Sequence, residues 1–134
     1  MDIRKFSVSP TARLVLRDAS DEVMLTDDGK EIAVNLFGPG SKQFAKAQAQ
    51  QQARLVKRMS TKGKGELSME EKATESAEFL AACTDSWEHM QYEELAGDAL
   101  SKVVYADRSI GFISDQVARF VNNWANFKPV STAT

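Results

Sequence analysis

Reactive side chains are scarce in this chain of 134 residues, which has one cysteine, Cys83, and one histidine, His89. A lone cysteine excludes an intrachain disulfide and points to a reducing compartment. Its neighbours Ala77, Leu80 and Ala81 fall at helical spacing, so a small buried apolar residue is expected there, not a nucleophile. Any Ser-His-Asp or Cys-His device would have to be assembled around His89 alone, which is expected in an exposed loop after Trp87. Long apolar runs are missing as well. Met1-Asp2-Ile3-Arg4-Lys5-Phe6 leads into no apolar run of roughly seven residues or more, which predicts neither a secretory signal nor a membrane span, and hence a soluble protein that stays where it is made. A net charge of −2 gives no general attraction to nucleic acid or to an anionic membrane. Gly63-Lys64-Gly65 lacks the spacing and the preceding strand of a phosphate-binding loop. No internal repeat or low-complexity tract occurs. No catalytic, cofactor-binding or metal-ligating residue is assigned, and function is expected from surfaces.

The small net charge conceals a segregation. Between Lys42 and Lys64 lie seven bases (Lys42, Lys46, Arg54, Lys57, Arg58, Lys62, Lys64) and no acid, whereas Glu66 to Asp98 holds ten acids against the single base Lys72. Adjacent blocks of opposite sign invite pairing, either between two antiparallel helices of one chain or between copies. Exposed pairs of this kind add only about 0.2 to 1 kcal/mol each. The alternative is a charged docking surface, where such fields govern recognition and on-rate more than affinity.

Hydrophobic periodicity supplies the elements. Ile113, Val117, Phe120, Val121 and Trp124 recur at steps of four, three, one and three, the pattern of one buried helix face. Asp107 is placed to cap this helix, which should break down near Asn126 and Lys128-Pro129. Toward the other end, Leu14-Val15-Leu16 reads as a strand. Val23 and Leu25, the turn residues Asp27-Asp28-Gly29, and alternating Ile32, Val34 and Leu36 read as a hairpin. Gly38-Pro39-Gly40 then breaks the strand. Ser41 is expected to cap a helix reaching about Met59, with Phe44, Ala47, Leu55, Val56 and Met59 on its apolar side, followed by a flexible loop over Ser60 to Gly65. Ser68-Met69-Glu70-Glu71 is a capping box that starts a helix burying Met69, Ala73, Ala77, Phe79 and Leu80 and ending near Cys83-Thr84. A connection over Asp85 to Tyr92 carries Trp87, expected as a core plug whose indole N–H donates to a carbonyl. Asp98 to Tyr105 is a short further helix with Leu100, Val103 and Val104 inward.

The expected fold is therefore α+β, mainly α: an N-terminal β-hairpin followed by about four helices. It forms a single domain with a loose lead-in over 1–12, a β-hairpin region over 13–37, a helical region over 41–127 and a disordered tail over 128–134. The basic stretch and the aromatics beside it suggest a partner surface drawn from Phe44, Lys57, Arg58, Lys62, Lys64, Trp124 and Phe127.

Three local patterns, in their order, carry a resemblance. They are Val34-Asn35-Leu36-Phe37-Gly38-Pro39-Gly40-Ser41-Lys42-Gln43-Phe44 entering an Ala/Gln-rich helix, Leu80-Ala81-Ala82-Cys83 followed by Trp87, and Tyr105-Ala106-Asp107 with Phe112-Ile113-Ser114-Asp115-Gln116-Val117 and a closing Trp124-Ala125-Asn126-Phe127. Over roughly residues 13 to 127 the chain resembles the tail assembly chaperones of long-tailed (siphovirus-type) bacteriophages. The resemblance implies a non-catalytic, cofactor-free protein of the infected host's cytoplasm, absent from the mature virion. It implies binding to the tape-measure protein and recruitment of the tail-tube protein through a longer, frameshifted product. A homo-oligomer is expected, through the hairpin edge or the charged blocks. Two other readings remain at this stage: a minor structural component of the virion tail, and a small nucleic-acid-binding regulator using the basic 42–64 stretch.

Overall fold

A computed structural model describes residues 1–62 and 68–129, the side chains of residues 61 and 62 excepted. The architecture is α+β and mainly α. Three antiparallel strands, β1 (Thr11–Val15), β2 (Ala33–Phe37) and β3 (Thr84–Glu88), lie in the order β1-β2-β3, with four helices: α1 (Lys42–Lys62), α2 (Met69–Ala82), α3 (Gly97–Ala106) and α4 (Gly111–Val121). Short 3-10 turns occupy Ile3–Phe6, Arg108–Ile110 and Trp124–Phe127. Among the described residues no helix is long and apolar enough to cross a membrane.

The hairpin region forms with a different pairing from the expected one. β2 pairs with Thr11–Val15 in a continuous ladder from Thr11↔Phe37 to Val15↔Ala33. Val23 and Leu25 contribute only isolated bridges, to Arg17 and Glu31. Leu16, Met24 and Ile32 close a ring of backbone hydrogen bonds, in which Leu16 N–H donates to Ile32, Ile32 to Met24 and Met24 to Leu16 at 2.9–3.0 Å. The 23–25 segment is thus wedged at the end of the ladder, not zipped along it. The expected turn is present, with Gly29 at φ +84°, a conformation that a side chain would strain.

The second correction concerns Asp85 to Tyr92. Its first half is the edge strand β3, paired to β2 through Ala33↔Glu88, Val34↔Trp87 and Asn35↔Ser86, with a bulge near Leu36. The sequence Thr84-Asp85-Ser86-Trp87-Glu88 shows no alternation of apolar residues, which is why periodicity reads it as a connection. It pairs because β2 is buried at Ala33, Val34 and Leu36 and its amides and carbonyls must be satisfied on both edges. On the polar face of the sheet Arg13 reaches Glu88 at 3.0 Å and Asn35 donates to Glu88 at 2.9 Å and to Ser86 at 3.1 Å, so one cross-strand cluster ties the three strands. The guanidinium of Arg13 and then the Asn35 amide hold the Glu88 carboxyl below its usual range.

The opposite face meets the helices. Leu16, Val34, Leu36, Ala77, Leu80, Leu100, Val104, Ile113, Val117 and Val121 form one buried cluster. Trp87, expected as a core plug, is half-buried at its edge, tilted against Tyr105 at 5.4 Å, and its indole N–H donates to the Ser101 hydroxyl at 2.8 Å where a carbonyl was expected. Burial pushes the Cys83 thiol up to about 12 and raises the Tyr105 phenol, whose oxygen shares a hydrogen bond with Thr84 at 2.7 Å. The reading of Cys83 as a small core residue agrees with its complete burial.

Near the C-terminus two boundaries move. Asp107 caps the 3-10 turn Arg108–Ile110, accepting from Ser109 N–H at 2.9 Å, and α4 begins only at Gly111. α4 ends at Val121, short of Asn126. Asn122 donates to the Ala118 carbonyl at 2.7 Å and Asn123 accepts from Ala125 N–H at 3.0 Å, the local side-chain bonds by which asparagine competes with helical continuation. The chain then turns, Phe127 is fully buried against Phe120 at 5.4 Å, and Trp124 is left 58% exposed although the helical pattern placed it inward. Residues 130–134, most of the expected tail, lie outside the described residues.

Candidate interaction surface

α1 and α2 build the feature to which the sequence assigned most of its candidate contacts. Ser41 caps α1 as expected, its hydroxyl accepting from Phe44 N–H at 3.0 Å. The capping box at the start of α2 is complete: Ser68 Oγ accepts from Glu71 N–H at 3.1 Å, and the Glu71 carboxylate accepts from Ser68 N–H at 3.3 Å. α1 runs through Ser60 to Lys62, where a loop was expected, and the remainder of that loop (63–65) lies outside the described residues. Ser60 and Thr61 are only mildly unfavourable in a helix and Lys62 is a good helix former, so nothing before Gly63 interrupts α1.

Opposite charge is answered between these two helices. Arg54 stands 3.5 Å from both Glu75 and Glu78, and Arg58 pairs closely with Glu75, whose side chain is 17% exposed. Descending partners on α2 face ascending positions on α1, so the helices are antiparallel, as the intrachain reading of the charge blocks required. The screening that weakens exposed pairs is reduced here, because Arg58 is also 17% exposed. Arg54 Nε is buried without a hydrogen-bond partner, so the fit is not fully satisfied.

The apolar residues divide differently. Phe44 and Ala47 near the start of α1 are buried, and Phe44 meets Phe79 edge-on at 5.6 Å. Beyond them the helix leaves the body: Leu55 is half-buried, and Val56 and Met59 are 55% and 53% exposed. Met69, which opens α2, is 78% exposed. These three were expected inward. Their pattern is correct for a helix face, but among the described residues no element covers that face.

The seven residues singled out from sequence are therefore not one patch. Phe44 and Phe127 are core residues, closed to any partner while the fold is intact. Trp124 is exposed at the opposite end of the molecule's C-terminal turn, over Gly40. Arg58 is committed to Glu75, and Lys57 is exposed on α1. The side chain of Lys62 and all of Lys64 lie outside the described residues. Met69, expected on the buried side of α2, is instead exposed; a large apolar residue directly after an N-cap is a position where burial is hard to arrange.

Elsewhere a cleft of about 400 Å³ separates β3 from the start of α3, with Trp87, Met90 and Leu95 as its apolar wall. Nearby, Asp107 accepts from Ser109 and from the Tyr92 hydroxyl at 2.8 Å, which lowers the Asp107 carboxyl and raises the Tyr92 phenol. These bonds tie the 85–96 connection to α3 and are fully accounted for by that role. Among the described residues no group of three or more His, Cys, Asp or Glu side chains is arranged to hold a metal ion. Compared with protein-family models, curated proteins and solved structures, the chain matches none.

Proposed function

We propose that this protein is a non-catalytic tail assembly chaperone of a long-tailed bacteriophage, which binds the tape-measure protein in the host cytoplasm, helps recruit tail-tube subunits through a longer frameshifted form, and is left out of the virion. The observation that carries the reading is the apolar side of the α1–α2 pair, uncovered among the described residues, where Val56, Met59 and Met69 are exposed among charged neighbours. A holdase needs such a surface: apolar enough to cover a client's greasy helices, deformable through methionine, and kept soluble by charge. Several copies along one extended client would add modest contacts through avidity, which is the role given to self-association.

The nucleic-acid reading is supported less well, because Arg54 and Arg58 of the basic stretch are held by Glu75 and Glu78. Co-expression with a candidate tape-measure protein tests the proposal. The client should move from the insoluble to the soluble fraction and co-purify with this chain, and mass spectrometry of finished particles should not find the chain. A client equally insoluble with and without it would sink the reading.

A further inference from the structure

We propose that the groove between α1 and α2 receives an amphipathic helix of the client, one whose narrow apolar stripe is bordered by acidic side chains; this assignment rests on the reading of the protein as a holdase for helical clients. The groove has a volume of about 350 Å³, and Gln51, Gln52 and Leu55 face Lys72 and Ser76 across it.

Two rows of side chains give it the form of a seat for a helix. On α1, Gln48, Gln52, Leu55 and Met59 follow one another at steps of four, three and four, and on α2, Met69, Lys72 and Ser76 follow at three and four. Residues at such steps share one helix face, and two antiparallel helices presenting such rows leave a trough into which the ridge of a third helix packs. The half-buried Leu55 lines it, and the exposed Met59 and Met69 lie one helical turn further along the same faces as Leu55 and Lys72. Gln51, Gln52 and Ser76 offer adaptable hydrogen bonds, suited to more than one client sequence.

Charge decides what kind of helix fits. Glu75, the acid of the groove wall, is already held by Arg54 and Arg58. Lys72 has no ion-pair partner among the described residues, and neither have Lys42 and Lys46 along α1, a helix without a single acid. Among the charges that line the groove, the one left unanswered is therefore positive, and a complementary partner carries Glu or Asp beside its apolar stripe. A second copy of this chain meets that requirement poorly. Its α1 would bring cations to Lys72, and its α2 has Met69 as its one strongly exposed large apolar residue.

The test uses the full chain and two labelled synthetic helices that share a Leu/Ala stripe, one flanked by Glu and one by Lys. Fluorescence anisotropy should show the Glu-flanked helix bound and the Lys-flanked one weaker by about tenfold or more. Lys72→Glu should weaken the Glu-flanked helix by about tenfold, as should the double change Met59→Ser with Met69→Ser, and added salt should act in the same direction. All three positions are exposed, so circular dichroism melts should stay where they were. Equal binding of the two helices, no binding of either, or indifference to these substitutions overturns the assignment. So does a dimer that Lys72→Glu dissociates, which would make the groove a contact between copies. If the variants lose the peptide yet still solubilise a tape-measure protein, the groove is not the client's site and the chaperone reading survives. If the Glu-flanked helix binds as described while no tape-measure protein is solubilised, the groove stands and the chaperone reading falls.

Discussion

α4 and α1 are opposite solutions to the same problem. α4, 11 residues long, encloses Ile113, Val117 and Val121 with 2% exposure or less, whereas α1, 21 residues long, encloses only Phe44 and Ala47 near its start and leaves Val56 and Met59 in water. Both carry an apolar stripe at helical spacing. The first stripe is made of β-branched residues packed against α2 and α3; the second is diluted by Ala and Gln and packs mainly on α2. The difference teaches that periodicity tells which side of a helix avoids water, while the rest of the chain decides whether that side is covered. In α4 the covering is internal and contributes to stability. In α1 that side is left open among the described residues, which is what the proposed client binding requires.

If that contrast is right, substitutions in the two regions should differ in kind. The largest effect belongs to Phe127→Ala, which empties a fully buried site beside Phe120 and Gly38. It should cost about 3 to 5 kcal/mol in urea unfolding, while Trp124→Ala three residues earlier, at an exposed position, should cost far less.

Alkaline titration sharpens the same boundary. The folded state holds the Cys83 thiol up to about 12 against an ordinary 9.0. Above the ordinary value the unfolded chain releases this proton and the folded chain does not, so stability is intact below about pH 9 and falls as the pH climbs from there toward 12. Cys83→Ala should flatten that part of the curve. A thiol reagent at pH 8 should label native Cys83 only as fast as the body opens, whereas in a Cys83→Ala background Met59→Cys should label at once.

A smaller effect is expected at the junction between the regions. Ser68→Ala removes one half of the capping box and should cost about 1 kcal/mol, read as faster amide exchange in the first turn of α2 with the α4 amides unchanged. The least effect on stability is expected from Met59→Ser, within about 0.5 kcal/mol of the parent chain, because the side chain is already hydrated. A cost of 2 kcal/mol there would mean that α1 is covered by its own chain after all, and the comparison would collapse.

Much of this fold was legible residue by residue. The Ser68 capping box, Ser41, Gly29, the buried Cys83 and the inward face of Ile113, Val117 and Val121 all follow from local rules, since each depends on neighbours within a few positions in the chain. β3 was not legible, because Thr84-Asp85-Ser86-Trp87-Glu88 becomes a strand only when β2 offers an open edge. Nor was the partner of β2, where Val23 and Leu25 compete with Thr11–Val15 and lose. The candidate surface was legible as charge segregation but not as a patch, since the distances separating Phe44, Trp124 and Arg58 are fixed by packing and not by spacing in the sequence.

By itself the amino-acid order settled where α1 and α2 start, which sides of the helices shun water, and that basic and acidic blocks should meet. Tertiary structure alone decided which of those sides are shielded and which charges are spent. Shielding requires a partner element within van der Waals reach, and the position of such an element depends on contacts between residues far apart in the chain.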